Sequence, residues 1–550
     1  MLPEQDPLTT RSLPLSRRAL IGVCLAAGAV PLIRPGMALA GPGLASPTDK
    51  PTPAGGPPPV VDPAYEMAPP DSPRTIMQQQ APLGRADGRR LKPTTESAPG
   101  SATTFSATAT VPFQFKYDNF DIRELPVGIS PYHMSIPDPL VDTGTHDSTG
   151  VRMVLLGTTL YNHPVAQAQY GIRLLESYRI TGDTTYLDRA KLQAQRLVDR
   201  RVLRDGAWFY PYPFRYALHR LYDIYDPPWY SMMAQGQALS LFVRMFKVTG
   251  EAAWKTAADA TFASFLLPAV AGKPWGVYVV DGHLWLEEYP NPKVIKGDRT
   301  FNGHTFSAYG LYDYYLLTGD ANAKLLLQGA ITTYRDSADL IRIRHWRSRY
   351  CVTHGLDAGN YHSTHINQWI QWFAITGDTW LAKVGDLWDT DYPLQGVKGS
   401  VHFGPGTHYG YKFNNVGTIL ARKTITLSRA SSAPSVDRGK VMNHTGIWYS
   451  ISAGSLAGYQ VGEYRGVRYQ VGTYALLGYK LFRNGTITQD TPVAYSIDSA
   501  GRMSGVRTVY HIGDPVTVDA RAVLNGVEHI RLAEGDYAGK WLAFGAVLRD

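Results

Sequence analysis

The chain has 550 residues, 44% of them hydrophobic, a formal charge of +8 and only two cysteines. That length and apolar content can fill two or more cores. The mild positive balance contains no basic tract and so excludes an obvious nucleic-acid footprint, while it suits an acidic polymer as partner.

From the N-terminus, Ser16-Arg17-Arg18-Ala19-Leu20-Ile21 precedes an apolar run to Ala29, and Ala38-Leu39-Ala40 offers a small-residue cleavage site. Residues 1–40 therefore read as a twin-arginine export signal, whose apolar run is cut short of a membrane span by Pro31, Arg34 and Pro35. Export to the cell surface or medium is the expectation. Removing the signal takes Cys24 with it and leaves Cys351 alone, so no intrachain disulfide is expected. Residues 41–105 are rich in Pro, Gly, Ser, Thr and Ala, bury too little to offset chain entropy, and read as a disordered linker.

Residues 106–400 carry a repeat. Four helical runs end in an aromatic residue, two more residues, then Thr-Gly-acid: Tyr178 to Asp183, Phe246 to Glu251, Tyr315 to Asp320 and Phe373 to Asp378, with the threonines 68, 69 and 58 residues apart. Counted back from each threonine, apolar residues recur at helical spacing, as in Leu239, Phe242, Val243 and Phe246. Gly after the last periodic residue is a helix stop, and the acid that follows suits the start of a second helix. Each unit is then a helical hairpin, and four hairpins can close into an (α/α)4 toroid whose inner helices start at a common rim. Gln167, Gln235, His304 and His362 each stand fourteen residues before their threonine, which suggests a polar cavity mouth.

Chemistry concentrates at that rim. Trp285-Leu286-Glu287-Glu288-Tyr289-Pro290 leads to Asn302-Gly303-His304, and Asn360-Tyr361-His362-Ser363-Thr364-His365-Ile366-Asn367-Gln368 opens the fourth inner helix. The run Trp208-Phe209-Tyr210-Pro211-Tyr212-Pro213-Phe214-Arg215 has the composition of a sugar-stacking wall with a cation for a carboxylate. His362 and His365, with His304 and Glu288, are metal-ligand types, but neither HExxH nor a Cys-rich framework accompanies them, so no metal is expected.

Met233-Ala234-Gln235-Gly236-Gln237-Ala238, Leu286-Glu287-Glu288-Tyr289-Pro290, Asn302-Gly303-His304 through Asp313 and Tyr361-His362-Ser363-Thr364-His365-Ile366-Asn367-Gln368 together resemble the C-terminal domain of the D-glucuronyl C5-epimerase family, over roughly residues 115–400. That resemblance implies an (α/α)4 barrel, no cofactor, a heparosan-like uronate polymer as substrate and, since vertebrate members are dimers, a homodimer. It places catalytic groups at Glu288, Tyr289 and Tyr361. Vertebrate members carry Arg-Trp-Asp directly before that last tyrosine, where this chain has Ala358-Gly359-Asn360.

Inverting C5 of a hexuronate requires two opposed proton carriers and groups that blunt the charge on the carboxylate. Glu288 or Tyr289 is expected on one face and Tyr361 on the other. Arg215 is the candidate carboxylate clamp, Gln235, Asn302 and His304 are orienting groups, Tyr210 and Tyr212 are sugar contacts, and His362 and His365 hold the sugar or tune Tyr361. Two other readings stand beside this one. A polysaccharide lyase or uronyl hydrolase also uses an α/α toroid, and a barrel without activity could serve a cell-wall glycan-binding protein.

Beyond residue 400 the period changes to short alternating runs rich in Gly, a β signature. Ser435-Val436-Asp437, Trp448-Tyr449-Ser450-Ile451 and Ala457-Gly458 are echoed 81 to 82 residues later by Thr517-Val518-Asp519, His529-Ile530-Arg531-Leu532 and Ala538-Gly539. Residues 401–550 therefore read as two small β modules, candidates for holding a cell-wall glycan.

Overall fold

The computed structural model describes residues 111–550 apart from 219–222, 292, 394–398, 445, 464–466, 473–475, 499–501 and 525–526. The export signal and the linker lie outside the described residues. Four helical hairpins come first: α1 (Pro164–Thr181) with α2 (Thr184–Arg200), α3 (Met232–Thr249) with α4 (Ala252–Phe262), α5 (Phe301–Thr318) with α6 (Ala321–Asp336), and α7 (Tyr361–Thr376) with α8 (Thr379–Asp391). Among the described residues no helix is long and apolar enough to cross a membrane.

The Thr-Gly-acid repeat is a complete joint between two helices. Each threonine hydroxyl donates to the carbonyl four residues back, at Ser177, Met245, Tyr314 and Trp372. The same hydroxyl accepts the backbone N–H of the acid two residues on. Between them the glycine takes φ of 68° to 73°, a left-handed conformation that costs a Cβ-bearing residue energy. Asp183, Asp320 and Asp378 then accept N–H groups of the next helix's first turn. In these three copies two helix ends are satisfied within three residues, whereas Glu251 makes no such cap bond and accepts from Lys191 and the Trp254 indole instead.

The other ends of the hairpins are joined by long connections. Hairpin β1 (Met153–Leu156) with β2 (Thr159–Asn162) precedes α1. Hairpins β3 (Val202–Arg204) with β4 (Ala207–Phe209) and β5 (Tyr216–Leu218) with β6 (Asp223–Tyr225) lead to α3, and β7 (Val277–Val280) with β8 (His283–Leu286) leads to α5. A loop over 342–360 leads to α7. All four gather at the starts of the inner helices, so loop chemistry collects on one rim. Helices α3 and α5 approach backbone to backbone there: a Cβ on Gly236 would stand 2.3 Å from the Ser307 carbonyl oxygen, and one on Gly310 would stand 2.3 Å from that of Gly236.

The segment from Val111 crosses the opposite side. Its backbone bonds to Gln328 through Phe120, to Ile375 through Arg123, to Tyr312 through Leu125 and to Gln371 through Ile129, and Met134 reaches Glu176. The hairpins are thus stapled together near their short turns.

Two seven-stranded antiparallel sheets follow. In chain order, strands β9–β15 span Gly399–Gly472 and β16–β22 span Leu476–Arg549; the sheets are ordered β11-β10-β14-β13-β12-β9-β15 and β18-β17-β21-β20-β19-β16-β22. Relabelled by position the two orders are identical, so the 81–82-residue echo corresponds to one topology used twice. The first sheet has a core of its own around Val401, Tyr449, Ile451 and Val461. The second shares the helical core through Leu477, Tyr479 and Val518. It is fixed to α8 by buried Asp386, which faces Arg483 at 2.5 Å, Arg521 at 3.3 Å and Arg549 at 3.7 Å and accepts the Tyr479 hydroxyl at 2.8 Å.

Candidate active site

The acid pair Glu287-Glu288 follows β8. His304, in the first turn of α5, accepts the Leu286 N–H at Nδ1 (3.0 Å) and donates from Nε2 to the Ala330 carbonyl (2.9 Å). Both ring nitrogens are therefore committed to backbone, burial holds the ring neutral with a pKa near 4, and its effect is to aim the end of β8. The Glu287 backbone bonds to Gly276 and Met232, and its carboxylate accepts the Arg299 N–H at 2.9 Å.

Glu288 is 4% exposed, and its Oε2 is buried without a hydrogen-bond partner. Its carboxylate lies over Gly303, where a Cβ would come within 2.1 Å of Oε2. Burial raises its pKa to about 8, against hydrogen bonds from Tyr289 and Tyr350 that favour the charged form. A carboxyl poised there changes protonation near neutral pH, as a proton carrier needs.

Tyr350 is the residue that sequence reading missed. It lies in the 342–360 loop, bonds to Glu288 and to Tyr289, and places its ring centroid 5.2 Å from that of Tyr361 at the start of α7. Tyr350 thereby bonds to Glu288 and Tyr289 through its hydroxyl and meets Tyr361 ring to ring. The loop is pinned by the two histidines of α7: His362 Nδ1 accepts the Ser348 N–H at 2.9 Å, and His365 Nδ1 meets the Ser348 hydroxyl at 2.8 Å. His362 Nε2 is held by the Trp388 and Tyr392 carbonyls, so these imidazoles position Tyr350 and Tyr361 rather than facing the open rim.

An open depression of about 390 Å³, solvent at its mouth included, is lined by His163, Val165, Tyr212, Phe214, Tyr216, Trp229, Ser231, Glu288 and Tyr289. Its wall is an aromatic stack: Tyr212 on Trp229 at 3.8 Å, Trp229 on Tyr216 at 5.5 Å and Tyr216 on Tyr289 at 5.7 Å between centroids. Such faces accept the C–H surface of a sugar ring. Its floor presents Glu288.

The remaining expected residues are distributed differently. Tyr210 is buried with its hydroxyl 2.5 Å from Thr261, away from the depression's lining. Gln235 is 1% exposed and joins Tyr210 N–H, the Trp208 carbonyl and the Ser264 hydroxyl. Gln167 is likewise buried and bonded to Asn162. The four polar residues that open the inner helices thus hold the connections onto the helices; they do not form a polar mouth. Asn302 is buried, its Oδ1 without a partner and its carbonyl accepting from Gln368. Arg215, beside two lining residues, is 67% exposed and 3.4 Å from Asp226. None of the nine lining residues is a permanent cation, since burial lowers His163 to about 4.

Residues 204–390 match the family described as D-glucuronyl C5-epimerase C-terminus. The D-glucuronyl C5-epimerase of Caenorhabditis elegans is 27% identical over 204 residues, covering 33% of this chain and 32% of that relative. The chain thus spans about a third of the length of the curated relative. Among solved structures it is similar to a GH76 α-mannanase from Bacteroides thetaiotaomicron (12% identity, 43% of this chain and 60% of that one, TM-score 0.31). It is also similar to a cellobiose 2-epimerase from Bacillus thermoamylovorans (15%, 42% and 59%, 0.32) and to an unsaturated glucuronyl hydrolase from a Streptococcus (13%, 41% and 57%, 0.28). Likenesses at that level assign no role to any residue here. Over residues 204–390, which hold Glu288, Tyr289, Tyr350 and Tyr361, the chain is similar to the C-terminal domain of the D-glucuronyl C5-epimerases.

Proposed function

We propose that the protein is an exported polysaccharide hexuronate C5-epimerase that converts glucuronate to iduronate residues in a heparosan-like polymer. The observation that carries the reading is the meeting of Glu288, Tyr289, Tyr350 and Tyr361 beside an aromatic wall, within the segment similar to that family. The uronate stacks on Trp229, Tyr216 and Tyr289. Glu288 in its ionised form, the minority form at neutral pH, or Tyr289 as its phenolate takes the C5 proton, and the electron pair of the broken C–H bond passes into the substrate carboxylate. Tyr361 then donates its hydroxyl proton to the other face of C5, forming the new bond. That leaves one proton too many at the acceptor, Glu288 or Tyr289, and one too few at Tyr361. Tyr350, bonded to Glu288 and beside Tyr361, returns it and resets the site.

Burial raises the Tyr350 hydroxyl well above its ordinary pKa, which keeps it protonated and able to relay. Arg215 reaches the substrate carboxylate by exchanging Asp226 for it, a charge-for-charge swap at an exposed rim. Export follows the twin-arginine signal, the β modules retain glycan, and two copies pair, as the vertebrate members do.

The test is incubation of residues 106–550 with heparosan and other uronate polymers. Uncut polymer with changed C5 configuration supports the proposal. An unsaturated, ultraviolet-absorbing product makes the protein a lyase, and glycan binding without chemistry makes it a binding protein.

A further inference from the structure

Behind the Glu288 loop, two segments meet as a short antiparallel bridge: Thr300 pairs with Cys351, Val352 N–H bonds to the Arg299 carbonyl, and Thr353 N–H bonds to that of Asp298. A turn closed by Gly355 N–H on the Cys351 carbonyl, with Gly355 at φ 64°, brings Cys351 and His354 to one side of this bridge. Cys351 Sγ is 3.9 Å from His354 Nδ1, and His354 Nδ1 is 2.5 Å from Asp298 Oδ1. One ligand atom from each of the three residues lies within 4.8 Å of the other two.

We propose that Asp298, Cys351 and His354 bind one divalent transition metal, zinc by the donor set, as a staple between the loop that follows Glu288 and the loop that carries Tyr350. Sulfur, imidazole and carboxylate at zinc bond lengths of about 2.0–2.3 Å stand about 3.3–3.8 Å from one another around a tetrahedron. The Cys351–His354 separation of 3.9 Å is already close to this, and the 2.5 Å contact of His354 Nδ1 with Asp298 Oδ1 opens by about 1 Å when a metal enters. The other imidazole nitrogen supplies an independent sign. His354 Nε2 is 3.1 Å from Asp223 Oδ2, which holds a proton on Nε2, so that a metal entering on the other side replaces the proton that Nδ1 now donates to Asp298. A carboxylate behind a ligating histidine is the usual outer partner of such sites.

The charges also close: one thiolate and one carboxylate neutralise a divalent ion. Cys351 and Asp298 are 0% and 3% exposed, and the His354 side chain is 13% exposed, so solvent reaches the trio from the His354 side, where a water would complete the coordination. Asp298 is further held by the Thr300 hydroxyl at 3.2 Å. The site is distinct from the histidines of α5 and α7, whose ring nitrogens face backbone carbonyls, N–H groups and Ser348, apart from His365 Nε2, which is buried without a partner. Its competitor is a metal-free network in which a charged His354 bridges Asp298 and Asp223 and the Cys351 thiol stays neutral beside Asp298.

Neither the proposal nor its test depends on what reaction the protein catalyses. The full chain, stripped with EDTA, is titrated with cobalt(II) and then zinc. We expect one equivalent of cobalt to produce a thiolate-to-metal charge-transfer band and tetrahedral visible bands, both displaced by zinc. Cys351→Ser should abolish the charge-transfer band, and Asp223→Asn should weaken binding about 10–100-fold while leaving the band in place. Far-ultraviolet circular dichroism establishes that each variant is folded; were Cys351→Ser to unfold, His354→Gln replaces it and must likewise lose the band. A wild-type titration without a charge-transfer band, or a band that survives in Cys351→Ser, overturns the proposal in favour of the ion pair.

Discussion

Glu288→Gln isolates the cost of burying one carboxyl. The folded protein holds the Glu288 proton to about pH 8, whereas an unfolded chain releases it near 4.5. Its contribution to stability is therefore complete below pH 4.5, declines as the unfolded chain ionises, and is gone above about pH 8. At about 1.4 kcal/mol per pH unit, the wild type should lose about 2.5 kcal/mol between pH 5 and pH 7 relative to Glu288→Gln. The neighbouring Glu287, also raised to about 8 by burial, is common to both proteins and drops out of the difference. Urea unfolding at pH 5, 6, 7 and 8, with both proteins in the same buffers, reads the effect directly. Parallel stability curves would mean that Glu288 is ionised in the folded protein and would refute the argument that burial sets its proton affinity.

Three further outcomes are expected. Tyr361→Phe and Tyr350→Phe should each lower turnover about 10²–10⁴-fold with unchanged melting temperature, and wild-type turnover in either removes that tyrosine from the proton path. Gly303→Ala improves helix propensity but sets a Cβ 2.7 Å from that of Glu288 and 2.1 Å from its Oε2. It should cost at least about tenfold in kcat by turning the carboxylate away from Tyr350, so full activity in this variant would contradict the described packing. Asp386→Ala leaves three buried guanidiniums facing one another and should destabilise the protein by about 3–5 kcal/mol in denaturant unfolding.

The helical frame was readable because its determinants are local. A threonine that bonds four residues back, a glycine at positive φ and an acid that caps the next helix all lie within three positions, so the motif appears in the sequence as it does in space. Polar residues at the inner helix starts were legible as positions but not as roles. Gln235 and His304 are consumed by backbone groups of the connections that precede their helices, and only the folded connections reveal those partners.

Tyr350 stayed hidden for the opposite reason. It sits in an aperiodic loop, and it meets Glu288 across 62 positions only because Ser348 is bound by His362 and His365. The nearest sequence signal was Tyr350-Cys351 with His354 three residues on, a metal-type spacing in a stretch where composition alone indicates a loop. In the β region, alternation and the 81–82-residue echo were visible, but the common strand order depends on pairings such as β9 with β12 and β15, which no local pattern encodes.

The most direct test of the central claim is proton and deuterium NMR of heparosan incubated with the protein in deuterated water. The proposed two-carrier site predicts deuterium at C5 of uncut polymer, shared between glucuronate and iduronate, and its loss in Tyr361→Phe. Polymer that keeps its C5 proton across heparosan and other uronate polymers, with the wild-type protein folded and binding them, would contradict it.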